Sequence, residues 1–136
     1  MKTCLIVDDS DIIRYILRRM LASTNFEVSE AAEAGVALNF CRSTMPALIM
    51  LDWHMPGLSP HGFLTSLRAM PFGRRPHVLY CPTMNDVENI THHLKSGADS
   101  YLVKPFTRQE LMAKLTSVGL LYDAPGASRQ LAHQGA

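Results

Sequence analysis

Five short apolar runs, each followed by a helix-like stripe of apolar residues, constrain the fold of this chain more than any other feature. The runs are residues 3–7, 26–29, 47–51, 77–81 and 100–103. After each run, apolar residues recur three and four positions apart, which is the spacing of one helix face. Strands that alternate with helices in this way predict a parallel sheet covered on both faces by right-handed crossovers. We therefore expect an α/β fold with five strands.

The length and composition fit one soluble domain. The chain has 136 residues, 18% of them charged, and a net charge of +1, which gives no basic surface for nucleic acid or an anionic membrane. It has no apolar run long enough to span a membrane, no signal peptide and no CxxC motif among its three cysteines. These features predict a cytoplasmic protein. Apolar periodicity ends after residue 122, so we expect a domain over 1–122 and a disordered tail over 123–136.

Polar residues follow four of the five predicted strands. Asp8 and Asp9 come after the first strand, Asp52 after the third, Thr83 after the fourth and Lys104 after the fifth. The carboxyl ends of parallel strands meet at one edge of the sheet, where such folds bind their ligands. We therefore expect these five side chains to lie together.

The predicted cluster has a definite chemistry. Three neighbouring carboxylates repel one another unless a cation or a proton compensates them. Oxygen ligands favour a hard ion such as Mg²⁺, and Lys104 adds a second positive charge. Such a carboxylate can attack phosphorus and form an aspartyl phosphate. Taken singly, each feature has a plain structural explanation, since an aspartate pair before a helix is most often a cap. Their combination predicts a phosphoryl site.

Three segments carry a family resemblance. They are LIVDDS at 5–10, LIMLDWHMP at 48–56 and GADSYLVKPF at 97–106. Together they resemble the receiver domain of two-component response regulators, in its single-domain CheY-like form, over about residues 3–120. The resemblance implies a flavodoxin-like sheet in strand order 2-1-3-4-5. It also implies that a sensor histidine kinase or a histidine phosphotransfer protein phosphorylates Asp52 in a two-component or phosphorelay pathway.

The same resemblance assigns roles around the phosphoacceptor. It implies that Asp9 binds Mg²⁺ directly, that Asp8 does so largely through water, and that the backbone carbonyl of His54 completes the protein ligands beside Asp52. Lys104 then pairs with the phosphoryl group, and its bond to the following proline is expected to be cis. The chain would catalyse only its own phosphorylation and dephosphorylation, and is otherwise no enzyme.

The resemblance also indicates how the signal leaves the domain. Tyr101 matches the aromatic switch residue of the family. No output domain follows in this sequence, so we expect output through contact with a downstream protein, with the chain a monomer or a weak dimer. The predicted contact face comprises the fourth helix, the fifth strand and the fifth helix, with His92, Lys95, Tyr101 and Arg108. We expect the neighbouring pair His92-His93 to form a solvated part of the fourth helix.

Two positions depart from the family pattern. The family has Thr or Ser at the end of the fourth strand, where this chain has Pro82, which offers neither a hydroxyl nor an N–H group. Thr83 is the next hydroxyl, and the sequence leaves open whether it substitutes. Cys81 is expected to be a packing residue. The second departure is Ser59-Pro60, two extra residues that we expect to lengthen the loop beside the site.

Two alternatives follow from these departures. Pro82 is compatible with a degenerate pseudo-receiver, which would act as a phosphorylation-independent binding module. A phosphohydrolase of the haloacid-dehalogenase kind would also use an aspartyl phosphate. That class needs a second aspartate two residues after the nucleophile, and this chain has His54 there. The sequence therefore favours the receiver.

Overall fold

The computed structural model describes residues 2–52, 57–83 and 87–121. Within these ranges, strands and helices alternate along the whole chain. The strands are β1 (Lys2–Val7), β2 (Phe26–Ala31), β3 (Leu48–Asp52), β4 (His77–Cys81) and β5 (Ser100–Tyr101). The helices are α1 (Asp11–Leu21), α2 (Ala34–Ser43), α3 (Pro60–Ala69), α4 (Val87–Ser96) and α5 (Arg108–Ser117). The predicted tail, residues 123–136, lies outside the described residues.

The five strands form one parallel sheet in the order β2-β1-β3-β4-β5, which confirms the predicted fold class and strand order. Val7 of β1 is level with Leu51 of β3, and Asp52 at the end of β3 is level with Cys81 of β4. This register brings the carboxyl ends of the central strands to the same height. All five residues of β3 are buried, as its continuous apolar run predicts.

One main core lies between the sheet and helices α2, α3 and α4. Side chains along a strand point alternately to the two faces. This core contains every second residue of the central strands together with the buried faces of the three helices. The apolar face of α2 is buried against the sheet, and it comprises Ala34, Ala37, Leu38 and Cys41. Helix α1 packs against β1 and β2 and buries Leu17 and Leu21, which are outside this cluster.

The chain divides between Phe106 and Thr107 into two compact units, so helix α5 is described by itself. Thr107 caps this helix, because its hydroxyl accepts a hydrogen bond from the Glu110 N–H while the Glu110 carboxylate accepts one from the Thr107 N–H. Leu111 and Leu115 are the buried residues of the helix. In the described parts of both units, no helix is long and apolar enough to cross a membrane.

Ser59 and Pro60, the two residues that we expected to lengthen the loop, lie at the start of α3. The Ser59 hydroxyl accepts a hydrogen bond from the Gly62 N–H at 3.1 Å, and Pro60 occupies the first turn of α3, where its missing N–H costs nothing. The first turn of α3 also contacts α4. His61 Nδ1 lies 2.6 Å from the Ser96 hydroxyl oxygen, and its ring stacks on that of His92 with 5.1 Å between the ring centroids.

The expected solvated histidine pair is also only half correct. His92 is exposed, but His93 is buried and stacks on the ring of Tyr80, with 4.5 Å between the centroids. The His93 Nδ1–H donates to the Asn89 carbonyl at 2.8 Å, and the Tyr80 hydroxyl donates to the Asn89 side chain at 2.9 Å. Burial lowers the pKa of His93, and the neighbouring imidazoles of His92 and His61 lower it further. His93 and Asn89 therefore connect α4 to Tyr80 of β4.

Candidate functional site

The predicted acidic residues meet at the carboxyl edge of the sheet. Asp8 directly follows β1, and Asp52 is the last residue of β3. One carboxylate oxygen from each of Asp8, Asp9 and Asp52 lies within 4.8 Å of the others. Asp8 and Asp52 are buried and Asp9 is exposed, so the cluster opens to solvent on the side of Asp9.

Lys104 joins the two buried carboxylates. Its Nζ donates to Asp8 Oδ2 at 2.9 Å and to Asp52 Oδ1 at 2.8 Å. Burial acts to lower the pKa of Lys104, but the hydrogen bonds accepted by Asp52 and Asp8, together with their charges, outweigh burial and raise its pKa above the usual value. The ammonium group is therefore held in its charged form, ready to neutralise negative charge at this edge.

The backbone around Lys104 fixes the position of its side chain. The Lys104 N–H donates to the Pro82 carbonyl at 2.7 Å, which ties the segment after β5 to the end of β4. The bond from Lys104 to Pro105 is cis, as the resemblance implied. Cys81, at the end of β4, is buried, and burial raises the pKa of its thiol to about 12. This cysteine is therefore a packing residue, as predicted.

Asp8 also forms hydrogen bonds with β2 and with the residue that caps α1. Its N–H continues the ladder with β2 by donating to the Ala31 carbonyl at 3.1 Å. Its Oδ1 accepts a hydrogen bond from the Ser10 N–H at 2.9 Å, and the Ser10 hydroxyl in turn caps α1 by accepting from the Ile13 N–H. Ser10 thus links the start of the helix to the carboxylate cluster.

A cavity of about 580 Å³ begins at the carboxylates and runs along α1. Asp8, Asp9, Asp52 and Lys104 line its polar end. Its other walls are largely apolar and come from α1 and from the segment after β5, with Ile13, Ile16, Leu17, Met20, Pro105 and Phe106. A small charged group can therefore reach the carboxylates beside a surface that suits an apolar partner.

The two candidate residues at the end of β4 differ in position. Pro82 is buried, and Thr83 is exposed and lines the same cavity as Asp52 and Lys104. Thr83 therefore remains the candidate for the hydroxyl that Pro82 lacks. His54, the predicted backbone ligand, lies outside the described residues.

Three of the predicted contact residues lie in the first unit, outside the lining of this cavity. His92 and Lys95 are exposed on α4, and Tyr101 of β5 is exposed to 38%. Arg108, the fourth predicted contact residue, is exposed at the start of α5, in the second unit.

The donor set of the cluster fits a magnesium ion. The three oxygen donors are close enough to share one ion, and among the described residues this is the only group of three or more acidic, histidine or cysteine side chains that is so arranged. Carboxylate oxygens with solvent access suit Mg²⁺, because that ion keeps several of its waters. Histidine and thiolate ligands, which borderline and soft ions prefer, take no part in this group.

The comparisons with known proteins agree with this geometry. Residues 4–116 match the response regulator receiver domain. The chain belongs to the receiver domain family. It is 32% identical over 118 residues to the chemotaxis protein CheY of Halobacterium salinarum, covering 86% of this chain and 96% of that protein. It is 37% identical over 114 residues to the transcriptional regulatory protein PrrA of Mycobacterium leprae, covering 84% of this chain and 48% of that protein.

The solved structures show the same fold. The chemotaxis response regulator CheY4 of Vibrio cholerae has a TM-score of 0.81 at 29% identity, covering 87% of this chain and 98% of that one. The receiver domain of the sensor histidine kinase PA1611 of Pseudomonas aeruginosa has a TM-score of 0.77 at 26% identity, covering 85% of this chain and 95% of that one. That structure has a magnesium ion coordinated in its active site cleft.

The relatives differ in how much of their length this chain spans. It spans about half of several transcriptional regulators, among them the phosphate regulon protein PhoB of Escherichia coli, of which it covers 50%. It spans nearly all of the Halobacterium chemotaxis protein. Membership of the family implies a phosphoacceptor switch of two-component signalling.

Proposed function

We propose that the chain is a response regulator that accepts a phosphoryl group on Asp52 from a sensor histidine kinase or a histidine phosphotransfer protein, with Mg²⁺ held by Asp8, Asp9 and Asp52. The observation that carries this proposal is the position of Lys104. Its Nζ contacts two carboxylates that are 96 and 52 residues away in the chain, at the polar end of a cavity. A partly buried cation beside the acceptor carboxylate can neutralise the oxygens of an incoming phosphoryl group.

The proposed chemistry is a displacement at phosphorus. An Asp52 carboxylate oxygen attacks the phosphorus atom, the bond from phosphorus to the donor's imidazole nitrogen breaks, and that nitrogen keeps the electron pair. Lys104 then pairs with the phosphoryl oxygens, since Asp52 no longer carries a free carboxylate. When bound, Mg²⁺ neutralises the negative charge on the transferred group. The alternative of a pseudo-receiver is not favoured, because all four charged residues of the site meet in one place.

Acetyl phosphate tests the proposal without a cognate kinase. The chain is incubated with this small donor in the presence and absence of Mg²⁺, and the intact mass is measured. We expect an increase by one phosphoryl group with Mg²⁺ and none when the metal is chelated. Absence of the adduct at every donor concentration, with Mg²⁺ shown to bind, would favour the pseudo-receiver instead.

The apolar wall of the cavity is the proposed docking surface for the phosphorylated donor protein. A donor must bring its phosphohistidine to Asp52 and therefore has to contact the surface around the cavity mouth. On α1, Ile12 is 71%, Tyr15 60% and Ile16 41% exposed, and Ile16 also lines the cavity. Large apolar side chains exposed beside a reactive site mark a contact for a partner. The occupant we propose is the helical, histidine-bearing domain of the donor.

Ile16→Ser should slow phosphoryl transfer from a protein donor but not from acetyl phosphate. We expect about tenfold slower transfer from a phosphorylated histidine phosphotransfer protein, because an apolar anchor of the contact is lost. Uptake from acetyl phosphate should stay within about twofold, since this small donor needs no docking surface. Transfer is followed by loss of label from the donor protein. Val36→Ser is the matched control, since Val36 is 47% exposed on α2. Equal slowing by both variants would contradict a docking role for Ile16.

Thr83 is the proposed reader of the phosphoryl group. It lines the cavity with Asp52 and Lys104, whereas Pro82 has no hydroxyl. A hydrogen bond from the Thr83 hydroxyl to a phosphoryl oxygen would draw the end of β4 toward the site and shift α4. The downstream partner would then recognise the changed face formed by α4 and β5, where Val87 is 71% exposed.

Thr83→Val should uncouple phosphorylation from this response. We expect uptake from acetyl phosphate to change by only about fivefold, the effect of one hydrogen bond of about 1 kcal/mol. Beryllofluoride, which mimics the phosphoryl group, should change the hydrogen exchange of the α4 amides in the original chain. We expect this change to be lost in Thr83→Val. Thr44→Val is the control, because Thr44 is exposed and has an extended backbone that valine tolerates. A full α4 response in Thr83→Val would show that another group reads the phosphoryl oxygens.

A further inference from the structure

Arg14 contacts the backbone of the acidic site. Its Nη1 donates to the backbone carbonyl of Asp8 at 2.7 Å, and its Nε donates to Glu30 Oε1 at 3.0 Å. It also pairs with Asp11, three residues earlier on the helix. The Arg14 side chain is only 12% exposed. It does not line the cavity, so its direct contact with the site is the hydrogen bond to Asp8.

The contact with Asp8 completes a set of restraints on this residue. Its N–H donates to the Ala31 carbonyl, and its Oδ1 accepts a hydrogen bond from the Ser10 N–H. Its Oδ2 accepts one from Lys104 Nζ, and its carbonyl oxygen accepts one from Arg14 Nη1. The other three restraints act on the amide and on the side chain. Arg14 is the described residue that holds the carbonyl end, which is where the chain turns from β1 toward Asp9.

The geometry of the peptide bond transmits this restraint to Asp9. The Asp8 carbonyl and the Asp9 N–H belong to one planar unit, so a group that fixes the carbonyl oxygen also fixes the plane from which the Asp9 side chain starts. Asp9 is exposed, and its carboxylate faces the other two across a gap of at most 4.8 Å. Because Mg²⁺ tolerates little departure from octahedral geometry, the direction of this carboxylate decides how well the ion is held.

We propose that Arg14 is a positioning residue of the magnesium site, which orients the Asp8–Asp9 peptide through its hydrogen bond to the Asp8 carbonyl while Glu30 holds the guanidinium in place. This inference rests on the proposed function, because it presumes that the three carboxylates bind Mg²⁺. Fixed outer-shell partners of this kind commonly govern the affinity of a metal site.

A purely electrostatic role and a positioning role for Arg14 predict opposite changes in Mg²⁺ affinity, which makes the inference testable. Arg14 carries a positive charge close to the site, and removing that charge would by Coulomb's law strengthen the binding of a cation. Loss of positioning would weaken it. The sign of the change in magnesium affinity therefore separates a positioning role from a purely electrostatic one.

Arg18 provides a matched control. It lies one turn further along α1 and donates to the same carboxylate, with 2.7 Å from its Nε to Glu30 Oε2, but it has no contact with Asp8 among the hydrogen bonds of the described residues. Arg14→Gln and Arg18→Gln each remove one positive charge and one ion pair with Glu30. Only Arg14→Gln also removes the hydrogen bond to the site.

The experiment is a magnesium titration of the full chain followed by the fluorescence of Trp53, its single tryptophan. We expect about tenfold weaker Mg²⁺ binding in Arg14→Gln, as for other losses of an outer-shell partner. Arg18→Gln should bind with unchanged or slightly higher affinity. Binding by Arg14→Gln that equals or exceeds that of Arg18→Gln would overturn the inference. The original chain is phosphorylated with acetyl phosphate in the same series, so failure of the proposed function is recognised separately.

Two further variants cover the case in which Arg14→Gln does not fold. Arg14→Lys keeps the charge but cannot reach Asp8 and Glu30 together with one planar group. Glu30→Gln leaves Arg14 in place but removes the carboxylate that orients it. We expect weaker Mg²⁺ binding in both, by a smaller factor in Glu30→Gln. Unchanged affinity in both variants would overturn the inference as well.

Discussion

Asp52→Asn should take up no phosphoryl group from acetyl phosphate in the presence of Mg²⁺. An amide oxygen is a poor nucleophile and cannot form the acyl phosphate, while its shape still lets it accept the hydrogen bond that Lys104 donates to Asp52 Oδ1. We therefore expect a folded chain that is inactive in phosphorylation. The measurement is intact mass after incubation, together with a thermal melt that confirms folding.

Glu27→Gln serves as the control for removal of one carboxylate. Glu27 is exposed on β2, away from the cavity. This variant should take up one phosphoryl group as the original chain does. An adduct of the same yield in Asp52→Asn would contradict the assignment of Asp52, and peptide mapping of that adduct would identify the residue that accepts the group instead.

Lys104→Met is expected to destabilise the metal-free chain. The change leaves Asp8 and Asp52 buried without their shared cation, and loss of one partner of a buried ion pair costs on the order of 3 kcal/mol. Saturating Mg²⁺ should restore a large part of this loss, because the ion supplies positive charge to the same carboxylates and binds only the folded state. Urea denaturation with and without Mg²⁺ measures both free energies of unfolding.

The control for this variant is Lys95→Met. Lys95 is exposed on α4, and its loss should change the free energy of unfolding by less than about 0.5 kcal/mol with or without the metal. If Lys104→Met lost the same stability in both conditions, the lysine and the metal would not share the carboxylates. A loss confined to the metal-free chain supports the arrangement proposed for the site.

The sequence predicted the site better than it predicted its surroundings. Asp8, Asp52 and Lys104 could be placed together because each follows a strand, and parallel strands end at one edge of the sheet. That inference needs only the order of elements. The contact from Arg14 to the Asp8 carbonyl needs the direction of one long side chain, which residue spacing does not determine.

The buried face of a helix is also not determined by residue spacing alone. The stripe Val87, Ile90 and Leu94 predicts the existence of α4 correctly, yet Val87 is 71% exposed and the neighbouring His93 is buried. The period of a stripe indicates a helix, but the neighbours of that helix decide which residues of the stripe face them. Tyr80 is such a neighbour here, and its ring and hydroxyl select His93 and Asn89 for the inner face.

The contacts between the first turn of α3 and α4 have a consequence for the proposed function. Because His61 is bonded to Ser96 and stacked on His92, α4 cannot move without breaking these contacts or carrying the start of α3 with it. The first turn of α3 thereby restrains the neighbouring helix. We expect the strength of these contacts to limit how far the proposed phosphorylation of Asp52 can displace α4.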